Sequence, residues 1–297
     1  MSQPSRATAA GRAYLDLRAK ARGEHRPTQE LLQLYVLEGF LARTAKSRHA
    51  GNLVLKGGVL LAAFDTRRPT RDVDFQATST ANDSETILKI AKEIAEVAID
   101  DGIGFDSAAA TAKEIREEEE YAGIRVSMTA TLASARLPFH VDVNVGDPIW
   151  PAPEQVSLPR LLGGELVLQG YPLPMVFAEK LVTALSRGTA NTRWRDYADV
   201  YLLSRSSTLD GDESVEAADR VAHYRQVQLD ALSSALEGYG TIAQSRWATW
   251  RRRQLLEDRL PENFQDVLDD VIRFGDPILL GDARGSRWDP GAASWAS

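Results

Sequence analysis

Two different spacings of apolar residues occur in the first half of this chain. Apolar residues at helical spacing predict helices over residues 27–45 and 85–99. Strict alternation of apolar and polar residues predicts strands over residues 124–132 and 139–145, each with one buried face. Helices and strands that follow one another in this way predict an α+β unit.

The second half has a different pattern. Prolines interrupt residues 147–174, and helical spacing then predominates. We expect an N-terminal core over residues 1–150, an irregular connection over 151–175 and a mainly helical C-terminal region over 176–297. The predicted helices cover residues 176–186, 195–203, 215–236, 242–256 and 263–274. The first dozen residues predict a frayed end, and the last sixteen an extended tail anchored by Trp288 and Trp295.

Composition narrows the classes of protein to consider. The chain is 43% hydrophobic and 26% charged, as in a soluble globular protein, and has no apolar run near the roughly 20 residues that span a bilayer. We therefore expect no membrane segment and a cytoplasmic location. The absence of cysteine excludes disulfides, thiolate catalysis and cysteine-ligated metals. A net charge of −7 argues against indiscriminate binding of nucleic acid.

Candidate chemistry first appears in a glycine turn and an Asp-x-Asp strand. Lys56, Gly57 and Gly58 form a turn whose backbone amides suit an anion, although a Gly-Gly pair alone is often only a turn. In an extended strand, Asp72 and Asp74 project from one face while apolar neighbours project from the other. Two carboxylates so close favour a hard cation such as Mg²⁺ or Mn²⁺. The two features together predict a site for phosphate and metal.

A third carboxylate extends this hypothesis. Asp142 lies in the strand predicted over residues 139–145, on the face opposite its valines. Three carboxylates with two metal ions suit nucleotidyl transfer, in which Asp142 would bind metal and help remove the proton of the acceptor hydroxyl. The alternative for Asp142 is an exposed strand carboxylate.

Basic residues suggest two surfaces for an RNA acceptor. Arg246 and Arg251–Arg253 flank Trp247 and Trp250, which suits phosphate and base stacking, although tryptophans three residues apart also suit a helical core. The arginines at positions 67, 68 and 71 lie nearer the Asp-x-Asp strand. The acidic run 117–120 is expected to be a solvated turn.

Four blocks in order carry a family resemblance. The chain resembles the AbiEii/AbiGii-type nucleotidyltransferase toxins over roughly residues 28–205 and into the helical tail. The blocks are Leu55-Lys56-Gly57-Gly58, Arg68-Pro69-Thr70-Arg71-Asp72-Val73-Asp74, Ala178-Glu179-Lys180-Leu181 and Arg193-Trp194-Arg195-Asp196-Tyr197-Ala198-Asp199-Val200-Tyr201.

The resemblance implies a fold and an activity. The fold is a polymerase-β-like nucleotidyltransferase core with a mixed sheet. The activity is that of a toxin of a toxin–antitoxin system that uses an NTP and has a cognate antitoxin. In the Men-type branch the acceptor is the 3′ end of tRNA. Sequence leaves open which NTP, which tRNA and which oligomeric state.

The resemblance also implies roles for individual residues. The turn at Lys56, Gly57 and Gly58 would bind nucleotide, with help from Arg71. Asp72 and Asp74 would hold metal, with Asp142 as the third carboxylate. Lys180 would contact the triphosphate, and Asp196, the acidic residue of the fourth block, would belong with Lys180 and the three carboxylates to the catalytic residues. Without the resemblance, Lys180 is a helix-surface lysine and Asp196 part of a helical salt-bridge set.

Thr70 adds a regulatory hypothesis. Phosphorylation of its hydroxyl would place a dianion two residues from Asp72, as a kinase-like antitoxin of the Men-type branch does at a corresponding hydroxyl.

Two other functions remain open from sequence. One is a small-molecule nucleotidyltransferase of the antibiotic-modifying kind. The other is a non-catalytic module that binds nucleotide or a partner.

Overall fold

The computed structural model describes residues 4–64, 66, 69–116 and 122–296. Arg67, Arg68 and the acidic run 117–120 lie outside the described residues, and so do the predictions made for them. The chain forms two compact units. One comprises Met1–Gly146 and Glu154–Gly170, and the other Asp147–Pro153 and Tyr171–Ser297.

The first unit combines helices with a mixed sheet. Its helices are α1 (Ala9–Gly23), α2 (Thr28–Lys46), α3 (Gly57–Leu60) and α4 (Ser84–Ala95). Its strands are β1 (Leu53–Lys56), β2 (Asp72–Ala77), β3 (Ile103–Phe105), β4 (Thr111–Arg116), β5 (Ala122–Leu132), β6 (Ala135–Val145), β7 (Glu154–Pro159) and β8 (Glu165–Gly170). The strand order is β3-β5-β6-β2-β1-β8-β7, with β4 also paired to β5. Pairing is parallel between β2 and β6 and between β1 and β8, and antiparallel elsewhere.

The apolar face of this sheet fixes its central strands. Val73 and Phe75 on β2 have no exposed surface. On β6, Phe139 packs against Phe40 of α2 with the ring centroids 5.7 Å apart. Burying a side chain of this size stabilises the fold by about 1.5–3 kcal/mol. Because side chains alternate along a strand, the carboxylates between these residues must face the other way.

The second unit is mainly helical, with a small sheet. Its helices are α5 (Leu173–Arg187), α6 (Trp194–Ser204), α7 (Gly211–Tyr224), α8 (Leu232–Ala235), α9 (Tyr239–Arg253) and α10 (Phe264–Leu279). Strands β9 (Leu209–Asp210), β10 (Arg287–Asp289) and β11 (Ser294–Ala296) form an antiparallel sheet in the order β11-β10-β9. Phe177 of α5 packs against Phe274 of α10 with ring centroids 4.5 Å apart. Across the described part of both units, no helix is both long enough and apolar enough to cross a membrane.

The structure confirms the two tryptophan anchors of the tail. Trp288 is buried and its indole N–H donates to the Ser204 carbonyl over 2.6 Å. The Trp295 N–H donates to the Phe274 carbonyl over 3.1 Å, and the two rings stack. The tail is therefore a hairpin fastened to the helices rather than a loose extension.

The stretch predicted as an irregular connection contains a hairpin of the first unit. Strand β8 pairs in parallel with β1, and β7 pairs with β8. The apolar residues of both strands alternate with polar ones and are buried: Val156, Leu158, Leu166 and Leu168. Pro153 precedes β7 and Pro159 is its last residue. Prolines at both ends of the strand favour an irregular segment, which is why the sequence pattern did not predict a strand here. The first unit consequently extends to Gly170 instead of ending at residue 150.

Two other elements differ from expectation. Helix α1 begins within the predicted frayed end, where the Thr8 hydroxyl caps it by accepting from the Gly11 N–H over 3.1 Å. The helix predicted over 215–236 is divided, because Gln226 adopts a left-handed φ of 53° after α7 ends. Both differences depend on local caps and turns that apolar spacing does not record.

Candidate functional site

The two aspartates of the Asp-x-Asp strand lie on one face of β2, as predicted. Asp72 and Asp74 are partly exposed, whereas Val73 and Phe75 are buried on the opposite face. The preceding Arg71 is exposed, just before the strand begins. Strand β2 therefore presents two carboxylates to one side of the sheet.

Strand register extends this carboxylate pair into a charged row. Lys56 on β1 pairs with Asp74, Asp74 pairs in parallel with Asp142 on β6, and Asp142 pairs with Arg125 on β5. Directly paired residues project from the same face, about 5 Å apart. We call Lys56, Asp74, Asp142 and Arg125 the charged row. In this order, the formal charges of the four side chains are positive, negative, negative and positive.

Asp142 is held by an arginine that sequence reasoning missed. Arg125 donates from Nε to Asp142 Oδ1 over 2.7 Å and from Nη2 to Oδ2 over 2.5 Å. These hydrogen bonds raise the pKa of Arg125 above its ordinary value, and the charges of Asp142, Asp72 and Asp74 add to the effect. In the sequence, Arg125 is one of several polar residues that alternate along a strand. Only the register between β5 and β6 reveals its partner.

A second polar row lies beside the first. Asp72 pairs in parallel with His140, and His140 pairs with Ser127 on β5. The Ser127 hydroxyl lies 3.1 Å from His140 Nδ1. The face that carries the carboxylates is thus polar across three adjacent strands.

The glycine turn lies directly against the carboxylate of Asp74. Gly57 opens α3 with a left-handed φ of 69°, and a Cβ at this position would lie 2.0 Å from Asp74 Oδ2. Both the backbone conformation and the close approach require glycine here. Gly58 follows within α3, and Lys56 is the buried last residue of β1. The turn and the Asp-x-Asp strand, separated in sequence, therefore form one site.

The donor set determines which residues fit a metal ion. Among the described residues, no group of three or more histidine, aspartate or glutamate side chains is arranged to hold one. Asp72, Asp74 and Asp142 form no such group in this structure, in which each oxygen of Asp142 accepts a hydrogen bond from Arg125. Asp72 and Asp74 still fit Mg²⁺, which commonly takes one or two carboxylates and completes its shell with water and substrate phosphates.

In the second unit, Lys180 and Asp196 belong to a buried ion cluster. Lys180 Nζ donates to Asp196 Oδ1 over 3.1 Å and to Asp199 Oδ2 over 2.7 Å. Arg193 Nε donates to Asp196 Oδ2 over 2.5 Å. The side chains of Asp196 and Asp199 are only 3% and 2% exposed. Lys180 is therefore more than a surface lysine, since it joins helix α5 to α6.

Opposing effects act on the carboxyl group of Asp196. Burial raises its pKa, but the charges and hydrogen bonds of Lys180 and Arg193 outweigh burial and hold the pKa well below its ordinary value. Asp196 is thus ionised in the folded protein.

The proposed basic RNA surface divides into buried and exposed parts. Trp247 has no exposed surface and donates to the Pro261 carbonyl over 3.1 Å. Arg251 donates to the carbonyls of Leu260 and Glu257 over 2.9 and 2.7 Å. Trp247 and Arg251 therefore have structural roles. The exposed arginines of this segment are Arg246, Arg252 and Arg253, and Trp250 is partly exposed.

Substitution of Gly57 tests the contact between turn and carboxylate. Gly57→Ala should lower the free energy of unfolding by at least about 2 kcal/mol, because the side chain must adopt a left-handed φ and displace Asp74. Urea denaturation measures this change. Gly51→Ala is the matched control, because its Cβ would meet nothing within 4 Å. Equal unfolding midpoints for the two variants would contradict the described turn.

Asp196 should also make stability depend on pH. Because its pKa is lowered in the folded state, its stabilising effect is fully present above the unfolded-state pKa of about 3.9 and is lost as pH falls further. The stability advantage of wild type over Asp196→Asn should therefore shrink between pH 5 and pH 2, as followed by urea denaturation. The exposed Asp258→Asn serves as control. An advantage that grew on acidification would contradict the assigned ion cluster.

Comparison with known proteins shows which family the chain belongs to. No curated protein matches the chain. Two matching crystal structures come from Helicobacter pylori, one a candidate nucleotidyltransferase and the other JHP933. Each has a TM-score of 0.49 and 14% identity, covering 86% of this chain and 96% of its own. The family model described as nucleotidyl transferase AbiEii toxin, Type IV TA system, matches residues 39–270, more than half of the chain. The chain thus belongs to the AbiEii family of nucleotidyltransferase toxins.

Proposed function

We propose that this chain is the toxin of a toxin–antitoxin pair and transfers a nucleoside monophosphate from an NTP to the 3′ acceptor end of tRNA. The observation that carries the proposal is the pairing of Asp74 with Asp142 beside the turn at Gly57. A nucleotidyltransferase needs carboxylates next to a turn that admits phosphate, and these residues supply both. Family membership supports the transferase activity and a cognate antitoxin.

The first unit is proposed to be a polymerase-β-like core. Support comes from its mixed sheet and from two carboxylate-bearing strands that are neighbours and parallel. In this arrangement the glycine turn follows one central strand and the Asp-x-Asp pair lies on the next. The turn binds the triphosphate through Gly57 and Gly58, and Lys56 and Arg71 add positive charge.

The proposed reaction is an in-line displacement. The 3′-hydroxyl oxygen of the acceptor forms a bond to the α-phosphorus. The bond between the α-phosphorus and the oxygen that bridges it to the β-phosphorus breaks, and pyrophosphate leaves. A Mg²⁺ or Mn²⁺ ion held by Asp72 and Asp74 would supply charge stabilisation for the phosphates. Asp142 accepts the hydroxyl proton, because a carboxylate oxygen that receives one hydrogen bond retains a second lone pair. The same lone pairs allow Asp142 to contribute to metal binding.

Lys180 is proposed to contact the triphosphate. Its ammonium group has three N–H donors, and the described hydrogen bonds to Asp196 and Asp199 use two of them. The third N–H suits an anionic oxygen of a phosphate. In this view Asp196 orients Lys180 and contacts no substrate. The buried carboxylates would hold the ammonium group in one position.

A basic surface for tRNA is proposed on α9. Arg246 and Arg253 are seven residues apart on this helix, so they lie on the same side as Trp250 between them. Guanidinium groups bind phosphates, and a partly exposed indole can stack with a base. The overall negative charge of the protein makes such a local surface necessary for an RNA substrate. The reaction belongs in the cytoplasm, where tRNA and NTPs occur together.

An assay with the four labelled NTPs and total tRNA tests the activity. Purified protein with Mg²⁺ should label RNA, and Asp72→Asn should reduce the rate by at least about 100-fold because it removes a charge beside the phosphates. Asp100→Asn, an exposed aspartate of the same unit, should retain the wild-type rate.

Two results would contradict the proposal, one from this assay alone and one from this assay together with a toxicity test in cells. Labelled product that survives ribonuclease would favour the small-molecule transferase instead. Unlabelled tRNA, combined with undiminished toxicity of Asp72→Ala in cells, would favour a non-catalytic binding module.

Regulation at Thr70 can be tested by mass spectrometry. Thr70 is partly exposed, and its hydroxyl lies 3.5 Å from the Asp72 carbonyl, so a phosphate would bring a charge of about −2 beside the carboxylates. We expect a phosphorylated Thr70 peptide after co-expression with the cognate antitoxin, and none from Thr70→Val. An unmodified Thr70 in a fully neutralised toxin would exclude this mode of control.

A further inference from the structure

The charged row contains its own cations. Lys56 and Arg125 lie at its two ends, with Asp74 and Asp142 between them. The four formal charges add to zero. With Asp72 beside the row, the site has three carboxylates and two cations, so a divalent ion that approaches it encounters negative charge that is largely offset.

The guanidinium group of Arg125 is firmly held. It forms a two-point contact with Asp142, and the side chains are 29% and 9% exposed. Paired hydrogen bonds of this kind fix orientation as well as distance. The charge of Arg125 also interacts with Asp72 and Asp74. One guanidinium group thus acts on all three carboxylates of the site.

This position has a consequence for metal binding. A positive charge several ångströms from a dication, in a partly exposed site, weakens binding by about tenfold. An NTP brings several negative charges of its own, which offset the repulsion. The affinity of the site for a free ion should therefore be low, and its affinity for an ion that arrives with triphosphate should be higher.

We propose that Arg125 is a positioning residue that serves as the internal counter-ion of Asp142 and keeps the affinity for free divalent cations low until an NTP binds. The proposal rests on the proposed function of the carboxylate face. It assigns Arg125 no contact with the reacting atoms. Its effect is exerted through Asp142 and the local charge.

Mn²⁺ binding to the full chain, followed by electron paramagnetic resonance without nucleotide, tests the proposal. Arg125→Gln should bind Mn²⁺ about tenfold more tightly than wild type, because a like charge is removed. Arg125→Lys keeps the charge and should stay within about twofold of wild type. The exposed Arg136→Gln on β6 is the matched control and should bind as wild type does.

A nucleotide comparison separates this role from a merely structural one. A non-hydrolysable NTP analogue should increase the Mn²⁺ affinity of wild type more than that of Arg125→Gln. Loss of a purely structural contact would lower stability without tightening metal binding. Unchanged or weaker Mn²⁺ binding by folded Arg125→Gln would overturn the proposal.

Arg125→Gln leaves the charge of Asp142 without the Arg125 contact and could unfold the protein. A second pair of variants tests the proposal without that buried charge. The double variant Arg125→Gln/Asp142→Asn removes both charges and should bind Mn²⁺ about tenfold more tightly than Asp142→Asn alone. Equal affinities, or no Mn²⁺ binding by the double variant, would also overturn the proposal.

These measurements contain no tRNA, so they do not depend on the proposed acceptor. Tighter Mn²⁺ binding by Arg125→Gln than by wild type, together with failure of the wild-type protein to label RNA, would refute the proposed acceptor and leave the role of Arg125 intact.

Discussion

The parallel register between β2 and β6 is the constraint on which the candidate site depends. It places Asp74 opposite Asp142 and, on the other face, Val73 opposite Val141. Because side chains alternate with a period of two residues, a slip by one residue would turn the charges of one strand toward the apolar core. Burial of Val73 and Phe75 makes such a slip unfavourable. The hydrophobic core thereby determines where the carboxylates lie.

Both units bring aspartates together, and both meet the resulting repulsion with basic side chains. In the first unit Arg125 and Lys56 flank two carboxylates on a partly exposed sheet face. In the second, Lys180 lies between two aspartates that are nearly inaccessible. Solvent can reorganise around the first group and scarcely around the second. The charges of the first group are therefore the more accessible to ions from solution, and those of the second are held in a fixed geometry.

Sequence predicted the parts of this site that depend on neighbouring residues. The shared face of Asp72 and Asp74 follows from strand periodicity, and the strands that contain Arg125 and Asp142 were recognised by their alternation. The pairing of these strands was not predictable, because register is set by contacts between distant segments. The same reason explains why the Gly57 contact with Asp74, the Arg125 partner and the hairpin of β7 and β8 appeared only in the structure.

The path of the chain through the two units has a consequence for dissecting the protein. The chain leaves the first unit after Gly146 and returns at Glu154 to supply β7 and β8. A fragment that stopped at residue 150 would lack β8 and leave β1, the strand that leads into the glycine turn, as an uncovered sheet edge. Such an edge invites pairing with other chains. The first unit is therefore discontinuous in sequence, and its excision as a soluble fragment would require the hairpin to be retained.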